Sequence, residues 1–164
     1  MKTILSFTLP AAFALAWGIS HQACADTDIT FHGTLLASPP CVVNGGDNVI
    51  VDFGDDMMTT RIDGTKYRQK IAFTLDCSEA IALEQKIRIS GASVGTPGGE
   101  VLSTPLGGLG LALYQGEARY TPGKWIAFTA PDVPELYVVP VRLSGAEPAG
   151  GAFSVLASLV VDYQ

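Results

Sequence analysis

The C-terminal stretch GAFSVLASLVVDYQ, residues 151–164, alternates between apolar and mixed positions. Its even-numbered positions combine Ser154, Ser158 and Asp162 with apolar residues. A period of two places one face of a strand in a core and leaves the other face partly covered. The stretch therefore predicts a long β-strand whose inward set, after Gly151, consists of Phe153, Val155, Ala157, Leu159, Val161 and Tyr163.

The printed sequence stops one residue after Tyr163, without a hairpin turn or a returning strand. We therefore expect at least one neighbour of this last strand to come from elsewhere. The alternative is an ordinary last strand that is paired on both sides within its own domain. The start of the chain favours the first interpretation.

Residues 1–25 have the pattern of a secretory signal peptide. Lys2 precedes an apolar run over residues 4–19, and the segment ends in the small-x-small triplet Ala23-Cys24-Ala25. This run is short for a membrane span and is broken by Pro10. We predict cleavage between Ala25 and Asp26; an uncleaved anchor is the alternative, and the residues before Cys24 do not match a lipoprotein signal.

Cleavage at that point leaves two cysteines, Cys41 and Cys77. An even pair in an exported chain predicts a disulfide. Closing a loop of 36 positions contributes roughly 4 kcal/mol by restricting the unfolded chain. Two cysteines and one histidine are too few ligands for a structural zinc site, so no metal and no cofactor are expected.

Size and charge limit the possible classes of protein. Removing 25 of 164 residues leaves 139, which is enough for one β-sandwich and too few for two ordinary domains. The loss of Lys2 leaves 9 basic residues against 16 acidic ones, a net charge of −7. An acidic chain without a basic cluster does not predict nucleic-acid binding.

The segment DTDITFHGTLLASPP, residues 26–40, predicts a short strand at the new N-terminus, followed by two prolines. Pro39 and Pro40 separate it from the body because proline removes an amide donor and keeps its predecessor extended. Gly33 lies within this segment, although glycine weakens a strand interior unless the close approach of another chain requires it. The alternative is a first strand folded back on its own sheet. The apolar face of the segment contains Thr27, Ile29, Phe31, Gly33 and Leu35.

The body contains about eight short strand patterns with frequent turn signals, and one helical turn is predicted near residues 57–62. This pattern predicts an all-β sandwich of immunoglobulin-like type. The predicted strands cover residues 48–54, 70–77, 83–89, a short piece around Val101, 109–115, 125–129, 136–143 and 151–164.

Several motifs together resemble pilins of the chaperone–usher pathway, particularly minor, adaptor-type subunits of P-pilus-like fimbriae. They are ITFHG ahead of PPC, VDFG at 51–54, IAFTLDC ending at Cys77, LGLALYQG at 109–116, and penultimate Tyr163 with Gly151 fourteenth from the end. The resemblance extends over the whole chain after the signal peptide. It implies an incomplete immunoglobulin-like fold that lacks its final strand.

The resemblance also implies how the parts work. Residues 26–38 are the N-terminal donor-strand arm, and residues 39–164 are the pilin domain, with an acceptor groove beside the strand from Gly151 to Tyr163. A periplasmic chaperone fills this groove first, and the arm of a neighbouring pilin replaces it at an outer-membrane usher. Gly33 then lies at a crowded point of the neighbour's groove, and Phe31 fills the pocket where exchange begins. The protein crosses the periplasm and ends in a fimbrium on the cell surface, where it contributes to cell adhesion.

Two other classes of function remain as alternatives. Catalysis is disfavoured because His32 is the sole histidine after the signal peptide, and an acidic turn at Asp52, Asp55 and Asp56 is usually only solvated. No small-molecule substrate is expected. The second alternative is a self-contained secreted β-sandwich that binds sugar or protein, with Trp125 and Tyr120 as a stacking platform. Within the pilin interpretation, adaptor, shaft and terminator positions all stay open.

Overall fold

A computed structural model describes residues 29–35, 41–143 and 147–164. The body of the chain begins after Leu35, and the arm residues 29–35 are described separately. The predicted signal peptide, its cleavage site at Ala25–Asp26, and Thr27 lie outside the described residues. So do Pro39 and Pro40.

The described body is all-β, as predicted, with two short 3-10 turns at Asn44–Gly46 and Thr59–Arg61. The second turn confirms the helical turn expected near residues 57–62. The strands are β1 (Val42–Val43), β2 (Gln69–Lys70), β3 (Leu75–Asp76), β4 (Glu84–Gly91), β5 (Ser93–Thr96), β6 (Gly99–Ser103), β7 (Leu109–Gln115), β8 (Ala118–Tyr120), β9 (Ile126–Thr129), β10 (Leu136–Arg142) and β11 (Ala157–Tyr163).

Two antiparallel sheets enclose the core. The larger has the order β2-β10-β7-β6-β5. Strand β6 pairs with the first part of one edge of β7, and β8 pairs with the last part of the same edge. The smaller has the order β11-β4-β9, so that β11 is an edge strand. Side chains of both sheets form one apolar cluster, which makes the body a β-sandwich. Its members include Ile87, Ile89, Phe128 and Val161 from the smaller sheet and Leu102, Leu111, Leu113, Leu136 and Val138 from the larger.

The disulfide is confirmed. Cys41 and Cys77 are joined, with an S–S distance of 2.09 Å. The pairing of β1 with β3 sets Val42 opposite Asp76, and this register places the two cysteines directly opposite one another. The bond closes the short two-stranded sheet at its end.

The predicted strand over residues 70–77 is only partly correct. Its side chains alternate as expected, with Ile71 buried and Phe73 half-buried against the core. The ladder stops in the middle, because the register of β2 with β10 sets Phe73 opposite Pro134, which has no N–H to donate. The last bond before the gap runs from the Ile71 N–H to the Leu136 carbonyl, at 2.9 Å.

The short strand predicted around Val101 is confirmed as β6, whereas β5 beside it was not predicted. The strands β5 and β6 form a hairpin there, with Val94 opposite Val101 and Thr96 opposite Gly99. Gly99 has a φ of 108°, which the tight turn requires and which only glycine adopts readily. Strand β8 was also not predicted, because three residues carry too short a pattern to detect.

Candidate functional site

The outer edge of β11 has no partner strand among the described residues. Its inner edge pairs with β4 over seven residues, from Ala157 opposite Gly91 to Tyr163 opposite Gln85. The order β11-β4-β9 leaves the second edge at the margin of the sheet. An unpaired edge of this length is a template for the addition of another strand.

The register shows which backbone groups lie on this edge. The Gln164 N–H donates to the Glu84 carbonyl at 3.2 Å, so the even-numbered residues direct their backbone groups toward β4. Because antiparallel pairing alternates, the odd-numbered residues direct theirs outward. The Tyr163 N–H donates to Asp162 Oδ1 at 2.9 Å. The groups left for an added strand belong to Ala157, Leu159 and Val161.

Two extended segments continue this edge without strand pairing. Residues 151–156 pack Phe153 and Val155 against the core cluster, and residues 48–53 pack Val49, Val51 and Phe53 against it. The rings of Phe53 and Phe153 lie 5.9 Å apart, so the two segments meet. Neither segment pairs with another described strand. We call the free edge of β11 together with these two segments the candidate groove.

The candidate groove also exposes apolar side chains. Leu156 is 93% exposed and Ile50 is 82% exposed, one on each unpaired segment. Ile50 lies between Val49 and Val51, and Leu156 follows Val155, all three of which pack against the core, so the alternation predicted for both segments is correct although the ladders are absent. Exposed apolar residues beside an unpaired edge are typical of a surface that binds a partner.

The predicted acceptor residues occupy different positions along the groove. Val161 is buried, and Phe153, Val155 and Leu159 are half-buried against the core. Ala157 and Tyr163 are exposed. Gly151 has a φ of 144°, in the region that favours glycine. The predicted strand over 151–164 therefore begins later than expected, at Ala157, because nothing described pairs with its first half.

The described arm residues, 29–35, are exposed. Phe31 is 90% exposed, and Ile29 and Leu35 are also exposed. Residues 29–35 form no helix or strand. A Cβ on Gly33 would meet no atom of its own chain within 4 Å. The crowding implied for this glycine concerns the groove of a neighbouring subunit and stays a prediction. The apolar side chains of the arm are thus uncovered, and because every residue from 29 to 35 is exposed, the inward face of the arm stays a prediction.

The role of residues 48–53 in the groove was not predicted. The sequence VIVDF predicts a strand face formed by Val49, Val51 and Phe53, but it does not say which strand lies beside it. The signal available in the sequence was apolar Ile50 at an outward position, where a strand with one solvated face normally has a polar residue.

The shifted pKa values belong to turns and surface pairs. Backbone and side-chain hydrogen bonds from Lys66 and Thr65 hold the pKa of Asp63 well below its usual range. Hydrogen bonding between Lys70 and Glu135, at 2.6 Å, raises the pKa of the lysine and lowers that of the glutamate. These groups stabilise charges at the surface.

A cleft of about 430 Å³ lies where the ladder between residues 71–74 and 133–136 is interrupted. Phe73, Val133 and Leu136 line it, and the Lys70–Glu135 pair is part of its wall.

No group of three or more histidine, cysteine or acidic residues that could hold a metal occurs in the described part of the chain. Asp52 accepts a hydrogen bond from the Gly54 N–H at 2.8 Å, an ordinary turn contact.

Trp125 and Tyr120, considered as a stacking platform only under the alternative of a binding module, have the core and rim positions that are more common for such residues. Tyr120 is 5% exposed and belongs to the core, whereas Trp125 is 40% exposed. No helix in the described residues is long and apolar enough to cross a membrane.

The family model described as fimbrial protein matches residues 29–164. The chain belongs to the fimbrial protein family. This match includes the arm from Ile29 onward and the candidate groove. The fimbrial-like protein YfcR of Escherichia coli K12 is 36% identical over 141 residues, covering 84% of this chain and 81% of the relative. The fimbrial adapter PapF of Escherichia coli is 31% identical over 98 residues, covering 60% of this chain and 57% of PapF.

Solved structures agree with the fold. The P pilus adaptor subunit PapF gives a TM-score of 0.54 at 28% identity, covering 77% of this chain and 98% of that one. The P pilus rod subunit PapA gives a TM-score of 0.57 at 21% identity, with 84% and 100% covered, and supports the fold alone. These similarities confirm the predicted immunoglobulin-like pilin fold. The fimbrial protein is therefore a structural subunit of a chaperone–usher pilus and not an enzyme.

Proposed function

We propose that this fimbrial protein is a minor, adaptor-type subunit that assembles by donor-strand exchange. Its arm is the donor strand, with Thr27, Ile29, Phe31, Gly33 and Leu35 inward. Its candidate groove accepts a strand first from a periplasmic chaperone and then from a neighbouring pilin at an outer-membrane usher. The assembled fimbrium lies on the cell surface and contributes to adhesion.

The observation that carries this proposal is the free edge of β11. Ala157, Leu159 and Val161 present backbone donors and acceptors at a sheet margin, flanked by two extended segments without ladders. A single added strand satisfies these groups and covers the half-buried side chains beside them. Backbone bonds then supply affinity, and alternate side chains supply specificity.

The arm has the chemistry of such a strand. Burying Ile29, Phe31 and Leu35 gives about 1.5–3 kcal/mol for each side chain. The ladder bonds add about 1 kcal/mol each. These contributions are large enough to join two subunits stably, since the arm side chains are exposed before exchange.

The adaptor assignment is supported by the similarity to PapF in sequence and in fold. A pure terminator is disfavoured because the chain has both an arm that can donate and an edge that can accept. A shaft subunit would have the same two parts. The number of copies of this protein per purified fimbrium distinguishes these positions, since an adaptor is present in one or few copies.

Export through the periplasm follows from the signal pattern in residues 1–25. We expect the mature protein to begin at Asp26. N-terminal sequencing of protein released from cell-surface fimbriae checks this expectation. A mature protein that still carries the apolar run would contradict it.

The test of strand exchange uses the body without its arm, residues 39–164, and a peptide of residues 26–38. We expect the body alone to unfold at low temperature or to aggregate, because its apolar edge is open. The peptide should raise the unfolding temperature by many degrees. Phe31→Arg in the peptide should abolish most of this effect, because it places a charge on the inward face.

A matched control separates the two faces of the arm. Thr30 lies on the outward face of the same peptide, so Thr30→Arg should leave most of the stabilisation intact. Equal effects of the two peptides would show that the arm does not bind as an alternating strand. A body that unfolds cooperatively at high temperature and ignores both peptides would instead favour the self-contained binding module.

A further inference from the structure

An aromatic and cationic cluster lies on the outer face of the smaller sheet. The pairing of Ile87 with Ile126 places Trp125 beside Arg88 on that face. The guanidinium carbon of Arg88 lies 4.4 Å from the centre of the indole ring, and Lys86 Nζ lies 5.1 Å from it. Although two cations lie over the ring, it remains 40% exposed. Part of the ring is thus free to contact a ligand.

The turn before Trp125 is fixed to β4. The buried hydroxyl of Tyr120 donates to the Lys124 carbonyl and accepts a bond from the Ile89 N–H, which is 3.0 Å away. The Gly123 N–H donates to the Ile89 carbonyl at 2.7 Å. These bonds hold the backbone of the turn before Trp125 in place before any ligand arrives, and this preorganisation lowers the entropic cost of binding.

Arg88 has no ion pair among the described residues, in contrast to two cations in and directly before β2 of the larger sheet. Arg68 pairs with Glu117 at 2.9 Å, and Lys70 pairs with Glu135 at 2.6 Å. No carboxylate of the described residues pairs with Arg88, and its buried Nε has no hydrogen-bond partner there. A buried donor without a partner is costly and suggests that an acceptor is missing.

We propose that Trp125, Arg88 and Lys86 form a binding site for an acidic sugar, of the uronic or sialic acid class. The ring of a sugar stacks on the exposed part of the indole, and its carboxylate accepts bonds from the guanidinium. Lys86 contacts Asp162 at 3.3 Å and supplies a second, shared positive charge. A neutral sugar leaves Arg88 unpaired, and an acidic peptide lacks the ring that the indole accommodates.

This site is separate from strand exchange. It uses even-numbered residues of β4, which face outward, whereas the groove uses odd-numbered residues and the far edge of β11. The site therefore stays accessible when the groove is filled. A fimbrial subunit with such a site binds an acidic glycan at whatever position it has in the filament.

Intrinsic fluorescence tests the proposal, because the only tryptophans are Trp17 in the signal pattern and Trp125. The chain from Asp26, kept folded in assembled fimbriae or with its chaperone's strand bound, is titrated with N-acetylneuraminic acid and with glucuronic acid. Single-sugar sites bind weakly, so the titration extends to about 50 mM. We expect a saturable change for at least one acid sugar and none for N-acetylglucosamine or acetate.

Variants locate the binding to the cluster. Arg88→Gln should weaken binding at least about tenfold, and Trp125→Ala should abolish the saturation-transfer NMR signal of the sugar. The matched control is Arg119→Gln, since Arg119 lies 5.4 Å from the Tyr114 ring in the other sheet. It should bind as the parent does. Unchanged unfolding temperatures show that the variants are folded.

Several results would overturn the proposal. If neither acid sugar gives a saturable change in fluorescence, the proposed site does not exist. Equal effects of acetate show a simple anion site, and equal effects of the neutral sugar show stacking alone. Tighter binding of a triaspartate peptide than of the acid sugars assigns the cluster to a protein partner instead. Unaltered binding by Arg88→Gln contradicts the role given to the guanidinium.

Discussion

At the scale of single residues, Tyr120 connects the two sheets. Its strand β8 belongs to the larger sheet, and its hydroxyl bonds to β4 and to the turn at Lys124. Burial raises the pKa of Tyr120, so the hydroxyl stays protonated and able to donate. A buried hydroxyl with both of its hydrogen-bonding roles in use is more valuable than an exposed one.

Removal of this hydroxyl should therefore be costly. We expect Tyr120→Phe to lower the free energy of unfolding by about 1–3 kcal/mol, because the Ile89 N–H loses its acceptor. Urea unfolding of filled-groove protein measures the loss. Tyr114→Phe is the control, since its hydroxyl has only a 3.4 Å contact with Arg119. Equal losses for the two variants would show that the position of the hydroxyl is irrelevant.

Asp63 determines part of the response to acid. Its carboxylate accepts bonds from the Thr65 N–H at 2.9 Å, the Thr65 hydroxyl at 2.7 Å and the Lys66 N–H at 2.9 Å, which lower its pKa below the usual 3.8. Because the folded pKa is lower than the unfolded one, this stabilisation is complete above the usual pKa. It is lost as pH falls through the folded value.

We therefore expect Asp63→Asn to flatten the dependence of unfolding temperature on pH below about pH 4. Thermal unfolding at a series of pH values in that acid range checks this. Asp56→Asn, an exposed acid outside the turn, should keep the parent's slope. The opposite outcome, a steeper fall in Asp63→Asn, would contradict the sign of the effect.

At the scale of elements, β11 differs from every strand inside a sheet because its burial depends on what binds beside it. Ile87 on neighbouring β4 is completely buried, whereas Leu159 on β11 is half-buried. An added strand covers Leu159 further and leaves Ile87 as it is. The cost of truncating the two side chains should respond differently to the donor peptide.

Ile87→Ala should cost about 2–5 kcal/mol with or without peptide. Leu159→Ala should cost less in the empty body and clearly more when the peptide is bound, since the peptide then loses apolar contacts. Unfolding of both variants at several peptide concentrations gives this comparison. A cost for Leu159→Ala that is independent of peptide would place the donor strand elsewhere.

Sequence periodicity predicted which side chains face the core better than it predicted strands. Val49, Val51, Phe53, Phe153 and Val155 all face inward as expected, yet none lies in a strand. Which side chains face the core depends on the local alternation of the chain. A ladder of hydrogen bonds also needs a neighbouring strand whose backbone groups are free and in register. Pro134 removes such a group opposite residues 70–77, and no described strand lies beside 151–156.

At the scale of the whole molecule, two sheets and a disulfide hold the body together. The Cys41–Cys77 bond connects residues separated by 36 positions. We expect the double variant Cys41→Ala, Cys77→Ala to lose roughly 4 kcal/mol of unfolding free energy. Reduction of the parent with dithiothreitol should reproduce this loss and should not affect the double variant. A loss below about 1 kcal/mol would show that the loop is already constrained when the protein is unfolded.

The overall architecture was predictable because it rests on composition, alternation and turn signals that act over the entire chain. The candidate groove was predictable only in part. Its β11 side follows from the alternation of residues 151–164, but its second side, residues 48–53, depends on a contact between Phe53 and Phe153 that are 100 positions apart. The Trp125 cluster was missed as a cationic site, because only strand register sets Arg88 beside the indole.

The free edge of β11 also has a consequence for symmetry. A junction between the arm of one subunit and the edge of another joins two different surfaces, so no two-fold axis relates the partners and the contact does not close on itself. In the proposed strand exchange, each addition would consume one edge and one arm and would leave one of each at opposite ends. A filament built this way is polar, every subunit in it points in the same direction, and its growth ends only when a subunit without one of the two parts is added.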